Sequence, residues 1–295
     1  MTMHQNKELK WTGERYVPQL RGGIALEHLH RYAFASAQVR GLDVLDIASG
    51  EGYGSEMLSR VASSVIGVDI DKTSVEHAAG KYVRGNLSYR QGSCTEIPIP
   101  DKSVDVIVSF ETIEHIDDHD AMMSEIKRVL KPGGLLIISS PEKKSYNHTN
   151  GTVNPFHLKE LSLPEFRELL KRHFANVRLM GQRNMAGSAI LAVDEPLGPG
   201  LSYRYSDLPG NINPLPGLHE PEYILAVCSD SDLRDAGYSL CYQEQAETDH
   251  AVHLAGEYEK LKNRKEAEIH SITNSLSWKI TAPLRVIHGI FKSRR

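Results

Sequence analysis

The sequence predicts an α/β protein: a doubly wound, mostly parallel sheet with helices on both faces, followed by a helical tail. Three observations predict it. Short apolar runs alternate with segments whose apolar residues recur at helical spacing, the pattern of successive βαβ units. The run Leu135-Leu-Ile-Ile-Ser-Ser140 is the most apolar of them, as expected for a central parallel strand covered on both faces. The stretch VLDIASGEGYGS, Val44 to Ser55, passes from an apolar run through three alternating glycines into a helical pattern. That reads as strand, tight turn and helix.

The elements follow in order. Residues 44–48 are the first strand and 53–61 the helix after it. Residues 64–69 are a strand, and 72–83 a helix with Val75, Ala78, Ala79 and Val83 on one side. Strands at 87–91 and 104–109 precede a helix at 120–130. Lys131-Pro-Gly-Gly134 closes that helix, because proline cannot continue it and glycine supplies turn conformations. A strand at 135–140, a helix at 164–173 and a last strand at 223–228 complete the sheet. In such sheets ligands bind outside the carboxyl ends of the strands, where the strand order reverses.

Composition bounds the partners. The 295 residues are 40% hydrophobic and 24% charged, an ordinary globular balance, and a net charge of -4 gives no signal for nucleic acid. The three cysteines, Cys94, Cys228 and Cys241, form no CxxC pair, so neither a disulfide framework nor a thiolate zinc site is indicated. The N-terminus has no apolar core of a signal peptide and no run is long enough to span a bilayer, so the expected location is cytoplasmic. Three divisions are expected: 1–41, an N-terminal lid; 42–230, the sheet domain, with a Gly- and Pro-rich insertion at 181–221; and 231–295, a helical, basic tail.

The glycine loop reads as a ligand cradle. Gly50, Gly52 and Gly54 remove Cβ atoms where strand turns into helix, so backbone amides can approach a ligand. The run from Asp46 is DxAxGxGxG rather than the GxGxxG of a dinucleotide fold, which argues against NAD. Asp69, closing VIGVDID, stands where a carboxylate can take both hydroxyls of a ribose.

These motifs resemble the class I S-adenosylmethionine-dependent methyltransferases: VLDIASGEGYGS looks like their first motif, VIGVDID their second, GSCTEIPIPDKSVDVIVS their third and fourth. The resemblance covers roughly residues 42–228 and implies a Rossmann-like, seven-stranded, mostly parallel sheet. It implies a cofactor set of Asp46, Ala48, Gly50, Gly52 and Tyr53 for the methionine part, Asp69 and Ile70 for the ribose, Ser93 and Cys94 for the adenine, and Phe110 beyond them. Two positions depart from the pattern. Ala48 replaces the usual first glycine, and Ser93, a weaker acceptor for an exocyclic amine, replaces an aspartate.

The acceptor side is read from Phe110-Glu-Thr-Ile-Glu-His115, which follows the fourth strand. On a helical turn Glu111 shares a face with Glu114 and His115, an ExxEH triad that can ligate a cation. With the downstream His157 in NPFHLKELSLPEF, the set resembles the small-RNA 2′-O-methyltransferases, which implies a divalent cation, magnesium or manganese, held by Glu111, Glu114, His115 and His157. Ubiquinone-biosynthesis O-methyltransferases carry a similar ExxEH. Two other readings stand beside this one: His115 as a metal-free general base, and a structural triad in which Glu111 packs over the adenosine and Glu114 caps locally. His77, His173 and His288 read as surface or packing residues.

Ahead of the sheet, WTGERYVP and EHLHRYA place Glu27, His28, His30, Arg31 and Tyr32 near a helix start, where the first four can hydrogen-bond a polyhydroxylated acceptor while Tyr16 or Tyr32 stacks on its ring. A helix that only covers the sheet edge is the alternative. From 243 to 275 the chain is charged with sparse apolar positions, as in an extended helix or short coiled coil. The last stretch carries Lys279, Arg285, Lys292, Arg294 and Arg295 among Trp278, Ile280, Leu284, Ile287 and Phe291, an interfacial pattern. A partner-binding or dimerising helix, and so a homo-oligomer, is the other reading. The ending SLSWKITAPLR, with TGERYVP, EHLHRYAFA and NPFH, resembles enzymes of bacterial surface-polysaccharide, or lipopolysaccharide, synthesis.

The expectation is therefore an O-methyltransferase acting on a sugar hydroxyl of a surface glycan, peripheral at the inner membrane through its tail. A small-molecule methyltransferase acting on a phenol or carboxylate, and a non-catalytic scaffold in a polysaccharide-assembly complex, are the alternatives.

Overall fold

The computed structural model describes residues 16–20, 22–150, 154–185, 202–205, 212–215, 217–218, 220–233 and 239–241, with positions 258, 260–262, 264–266 and 270 further on. The chain divides into two compact units, Met1–Cys241 and Tyr242–Arg295. The described residues of the second unit are helical and exposed. The expected basic tail at 275–295 lies outside the described residues.

The first unit runs α1 (Gly23–Gln38), β1 (Asp43–Ile47), α2 (Tyr53–Ser59), β2 (Ser64–Asp69), α3 (Lys72–Lys81), β3 (Leu87–Gln91), β4 (Val104–Ser109), a 3₁₀ turn (Ile113–His115), α4 (His119–Val129), β5 (Leu130–Pro141), α5 (Lys143–Asn150), α6 (Leu163–His173), β6 (Asn176–Gln182), β7 (Ser202–Tyr205), β8 (Ile212–Leu215) and β9 (Tyr223–Ser229). Seven strands form one sheet in the order β3-β2-β1-β4-β5-β9-β6. The first five pair in parallel, and β9 is antiparallel to both β5 and β6. The order reverses between β1 and β4, so the crevice at their carboxyl ends is the switch point of the sheet.

Strand alternation separates two cores. Leu45, Ile47, Ile107, Leu136 and Ile138 face α4 and α6 through Met122, Met123, Ile126, Phe166 and Leu170. Val44, Val65, Val106, Val108 and Ile137 face α1 and α2 through Tyr32, Phe34, Ala35 and Leu58. Helices therefore cover both faces, and the central strands are apolar on both sides for that reason.

Three features differ from the sequence reading. Strand β6, hidden among half-buried residues, is placed by none of the strong apolar runs. The helix α4 does end just before Lys131-Pro-Gly-Gly134, but the strand expected at 135 starts earlier: β5 begins at Leu130, bridged to Val104, and the register shifts before Val106 meets Leu135. The proline and glycines are thus taken into an irregular strand start rather than a separate loop. Within the 181–221 stretch, β7 and β8 pair as an antiparallel two-stranded ribbon. Among the described residues, no helix is long and apolar enough to cross a membrane.

Candidate functional site

The loop after β1 is held from below and open above. Asp46 is fully buried; its carboxylate accepts from Ser55 Oγ at 2.6 Å and from Tyr32 Oη at 3.1 Å. Burial pushes this acid up to about 7, against the stabilising hydrogen bonds of Ser55 and Tyr32. Asp46 therefore does not reach into the crevice but fixes α1 and α2 beneath the loop. Glu51, in the middle of GEGYG, is also buried, and is clamped by His77 at 2.9 Å, Lys81 at 2.6 Å and Tyr82 at 2.7 Å. It ties the loop to α3. In the DxAxGxGxG pattern Glu51 stands at an unspecified position, and nothing adjacent in sequence marks His77, Lys81 and Tyr82 as its partners.

The three glycines have different duties. A Cβ on Gly54 would stand 2.0 Å from the Tyr32 ring, and one on Gly52 2.6 Å from Ala78 Cβ, so both serve packing. A Cβ on Gly50 would meet nothing nearer than 4.0 Å. Only Gly50 faces open space. Ala48 beside it is exposed and adopts φ 57°, the left-handed region that glycine takes without strain.

At the end of β2, Asp69 Oδ2 accepts from the Gly50 amide at 2.8 Å and Oδ1 from the Asp71 amide at 2.9 Å. Each oxygen keeps a further lone pair for a hydroxyl. Ile70 follows with 72% of its surface exposed, an apolar flank at the crevice edge. The Ser93 hydroxyl oxygen, expected to accept from a ligand amine, also accepts from the Thr95 amide at 3.1 Å and shares a hydrogen bond with Thr95 Oγ1 at 2.8 Å. Cys94 is half-buried against the core, and burial raises its thiol pKa. Phe110 is buried edge-on to Tyr32. Tyr53 is edge-on to Tyr32 and meets His28 Nδ1 at 3.0 Å.

The helix α1 residues expected to face an acceptor mostly face inward. Arg31 is 1% exposed, bonded to Gln182 Oε1 at 2.9 Å, 3.8 Å from Glu111 and over the Tyr223 ring at 4.6 Å. Tyr32 packs on Gly54 and bonds Asp46, so it offers no ring to stack on. Glu27 is buried, its pKa raised by desolvation, and its carboxylate accepts from Asn184. His28 stacks on Tyr16 at 5.1 Å, and burial holds its pKa well below the usual imidazole value, so it stays neutral. His30 reaches Ser239 Oγ at 2.8 Å. These side chains fasten α1 over the carboxyl edge of the sheet.

The ExxEH segment does not form one helical face. Glu111 adopts φ 50° and turns toward Ser139, whose hydroxyl donates to Oε1 at 2.6 Å. Only Ile113–His115 is a 3₁₀ turn. Glu111 therefore parts from the other three candidate ligands, although its charge still raises the pKa of Glu114. The donor atoms of Glu114, His115 and His157 all lie within 4.8 Å of one another. His115 Nδ1 donates to the Phe156 carbonyl at 3.1 Å, so in the neutral ring the lone pair sits on Nε2, 4.0 Å from Glu114 Oε1. Glu114 is 1% exposed and its Oε2 has no hydrogen-bond partner among the described residues. Burial first, and the Glu111 charge second, push its pKa well above the carboxylate range. A buried oxygen in that condition calls for a proton or a cation.

Residues 45–138 match a family model described as methyltransferase domain. A "Probable S-adenosylmethionine-dependent methyltransferase" of Mycolicibacterium smegmatis is 40% identical over 170 residues, 55% of this chain and 64% of that relative. A ubiquinone biosynthesis O-methyltransferase of Chelativorans sp. is 30% identical over 123 residues, 41% of this chain and 48% of the relative. The chain thus spans just under two thirds of the first curated relative and about half of the second. In shape it is similar to the crystal structure of a SAM dependent methyltransferase from Archaeoglobus fulgidus, with a TM-score of 0.50 at 19% identity over 70% of this chain and 93% of that one.

Proposed function

We propose that this chain, which carries a class I S-adenosylmethionine-dependent methyltransferase domain, transfers a methyl group to an oxygen of its acceptor. The residues at the switch point fit the cofactor. Gly50 leaves open space, Ala48 is exposed, each Asp69 oxygen accepts one backbone hydrogen bond and keeps a further lone pair, and Ile70 offers a bare apolar surface to a base. Bound there, S-adenosylmethionine supplies a sulfonium methyl open to attack by an oxygen nucleophile. Ala48 and Gly50 would hold the methionine end, Asp69 the ribose hydroxyls and Ile70 one face of the adenine.

The observation that carries oxygen as the acceptor atom is the Glu114, His115 and His157 cluster at the carboxyl end of β4. Unassisted alcohols give up a proton poorly near neutrality. His115 Nε2, with its tautomer set by the Phe156 carbonyl, is placed to take that proton. Glu114, buried with one oxygen unsatisfied and its pKa raised by burial, is held as the neutral acid until an imidazolium forms beside it or a divalent cation binds with the two histidines, either of which would favour its ionised form. Such a cation, magnesium or manganese, would lower the pKa of a hydroxyl. Glu111 stays outside that set, bonded to Ser139.

A sugar hydroxyl of a surface glycan is the acceptor we favour. What supports it is the likeness of SLSWKITAPLR, TGERYVP and NPFH to enzymes of bacterial surface-polysaccharide synthesis. With such an acceptor the basic, aromatic tail would meet the inner-membrane surface or polysaccharide-assembly proteins. A phenolic small molecule is the second reading, favoured by the ubiquinone biosynthesis O-methyltransferase relative. The test is methyl transfer from labelled S-adenosylmethionine to glycan and phenol acceptors, with magnesium, manganese or a chelator. Labelled methyl ether in glycan fractions alone supports the first reading, and label in phenols alone the second. Label on nitrogen only would overturn both.

A further inference from the structure

We propose that Asn154 and Glu160 are positioning residues for the cation site, Asn154 as a latch on His157 and Glu160 as the group that aims its ring. The inference rests on the cation reading of the Glu114, His115 and His157 cluster given above.

The hydrogen bonds around His157 form one directed chain. The Phe156 amide donates to Asn154 Oδ1 at 3.0 Å, which fixes which end of that side chain is the oxygen. Asn154 Nδ2 then faces His157 Nε2 at 2.9 Å, and since an amide nitrogen only donates, Nε2 is the acceptor. The ring proton is therefore on Nδ1, which donates to Glu160 Oε1 at 2.7 Å. The side chains of His157 and Glu160 are 6% and 7% exposed, so water competes little for the bond between them. The Tyr146 ring lies 5.6 Å from the imidazole on one side and His115 meets it edge-on at 5.1 Å.

Two consequences follow for the site. The lone pair that a cation would take is the one that Asn154 now occupies, so ligation at Nε2 requires the Asn154 amide to let go. The Glu160 carboxylate, in contrast, works in favour of ligation: a histidine ligand whose other nitrogen donates to a carboxylate is fixed in orientation and made more basic. One neighbour opposes the cation and the other favours it. Neither is distinguished in the sequence, where NPFHLKE shows only a histidine flanked at three residues on each side.

The test is manganese titration of the full chain, followed by loss of the aqueous Mn²⁺ resonance, for the natural protein, Asn154→Ala and Glu160→Gln, with thermal melts as controls. Asn154→Ala is expected to bind manganese about 3- to 10-fold more tightly, the equivalent of one net hydrogen bond released. Glu160→Gln is expected to bind about 10- to 100-fold more weakly. A merely structural role would weaken both. If Asn154→Ala does not fold, Asn154→Ser, which keeps an oxygen for the Phe156 amide, is read in the same way. Manganese binding by the natural chain that is unchanged or weakened in the Asn154 variant overturns the latch alone. No manganese binding by the natural chain overturns the cation reading and this inference with it.

Discussion

The Gly50 amide donates to Asp69 Oδ2 at 2.8 Å, so the acid that ends β2 is aimed by the glycine loop that follows β1. One hydrogen bond thus joins the two halves of the crevice. Asp69→Ala removes the charged acceptor for a ligand's hydroxyls and the anchor of the loop together. With charged hydrogen bonds worth about 1.5–3 kcal/mol each, S-adenosylmethionine affinity should fall about 100-fold or more. Calorimetry on a variant with unchanged circular dichroism checks this, and a loss below tenfold would count against the assignment.

Ala48 stands in the left-handed region at φ 57°, where an L residue with a Cβ is strained by about 1–2 kcal/mol. Ala48→Gly should relieve most of that strain, offset in part by the greater freedom of glycine in the unfolded chain. The expected gain is about 1 kcal/mol, a rise of about 2–4 °C in melting temperature. A lower melting temperature would contradict it.

The glycines should respond unequally to a methyl group. At Gly54 the added carbon meets the Tyr32 ring, an overlap that costs about 3 kcal/mol or more when a packed core must yield. At Gly50 there is no collision, only the cost of φ 54°. Melting of Gly54→Ala should drop markedly further than that of Gly50→Ala, whereas cofactor affinity should suffer in Gly50→Ala even when the fold is intact. Equal melting temperatures would refute the division of roles.

Much of this architecture is legible in the residues because period and punctuation carry it. Alternating apolar runs place β1, β2, β4 and β5, and the loop glycines mark the switch point. What could not be read is what depends on side chains distant in sequence. Nothing near Asp46 says that Tyr32 and Ser55 will bury it, and nothing near Glu111 says that Ser139, 28 residues on, will draw it from Glu114. The left-handed turn at Glu111 breaks the helical spacing on which the ExxEH reading depended. Arg31 and Tyr32 look like ligand residues because they are charged and aromatic, yet their length lets them reach inward under α1.

Asp46 gives a pH signature. Its carboxyl is raised to about 7 in the folded chain against 3.8 for an ordinary aspartate, so the folded state holds the proton more tightly and loses stability as pH rises between those values. Asp46→Asn removes this dependence. The natural chain should lose ground to the variant from pH 5 to pH 8, by about 2–3 kcal/mol. Parallel stability curves for the two proteins would show that the carboxyl is not so perturbed.

His115 separates chemistry from binding. His115→Ala should leave S-adenosylmethionine affinity within about threefold, since no cofactor contact is assigned to it, while turnover falls by about 100-fold or more. Full activity in the variant would remove His115 from the mechanism.

The most direct test of the central claim is calorimetric titration of the full chain with S-adenosylmethionine. The account predicts saturable binding with one site per chain, weakened about 100-fold or more in Asp69→Ala and retained in His115→Ala. A folded protein that gives no binding heat at several temperatures and no thermal shift with millimolar cofactor would contradict it.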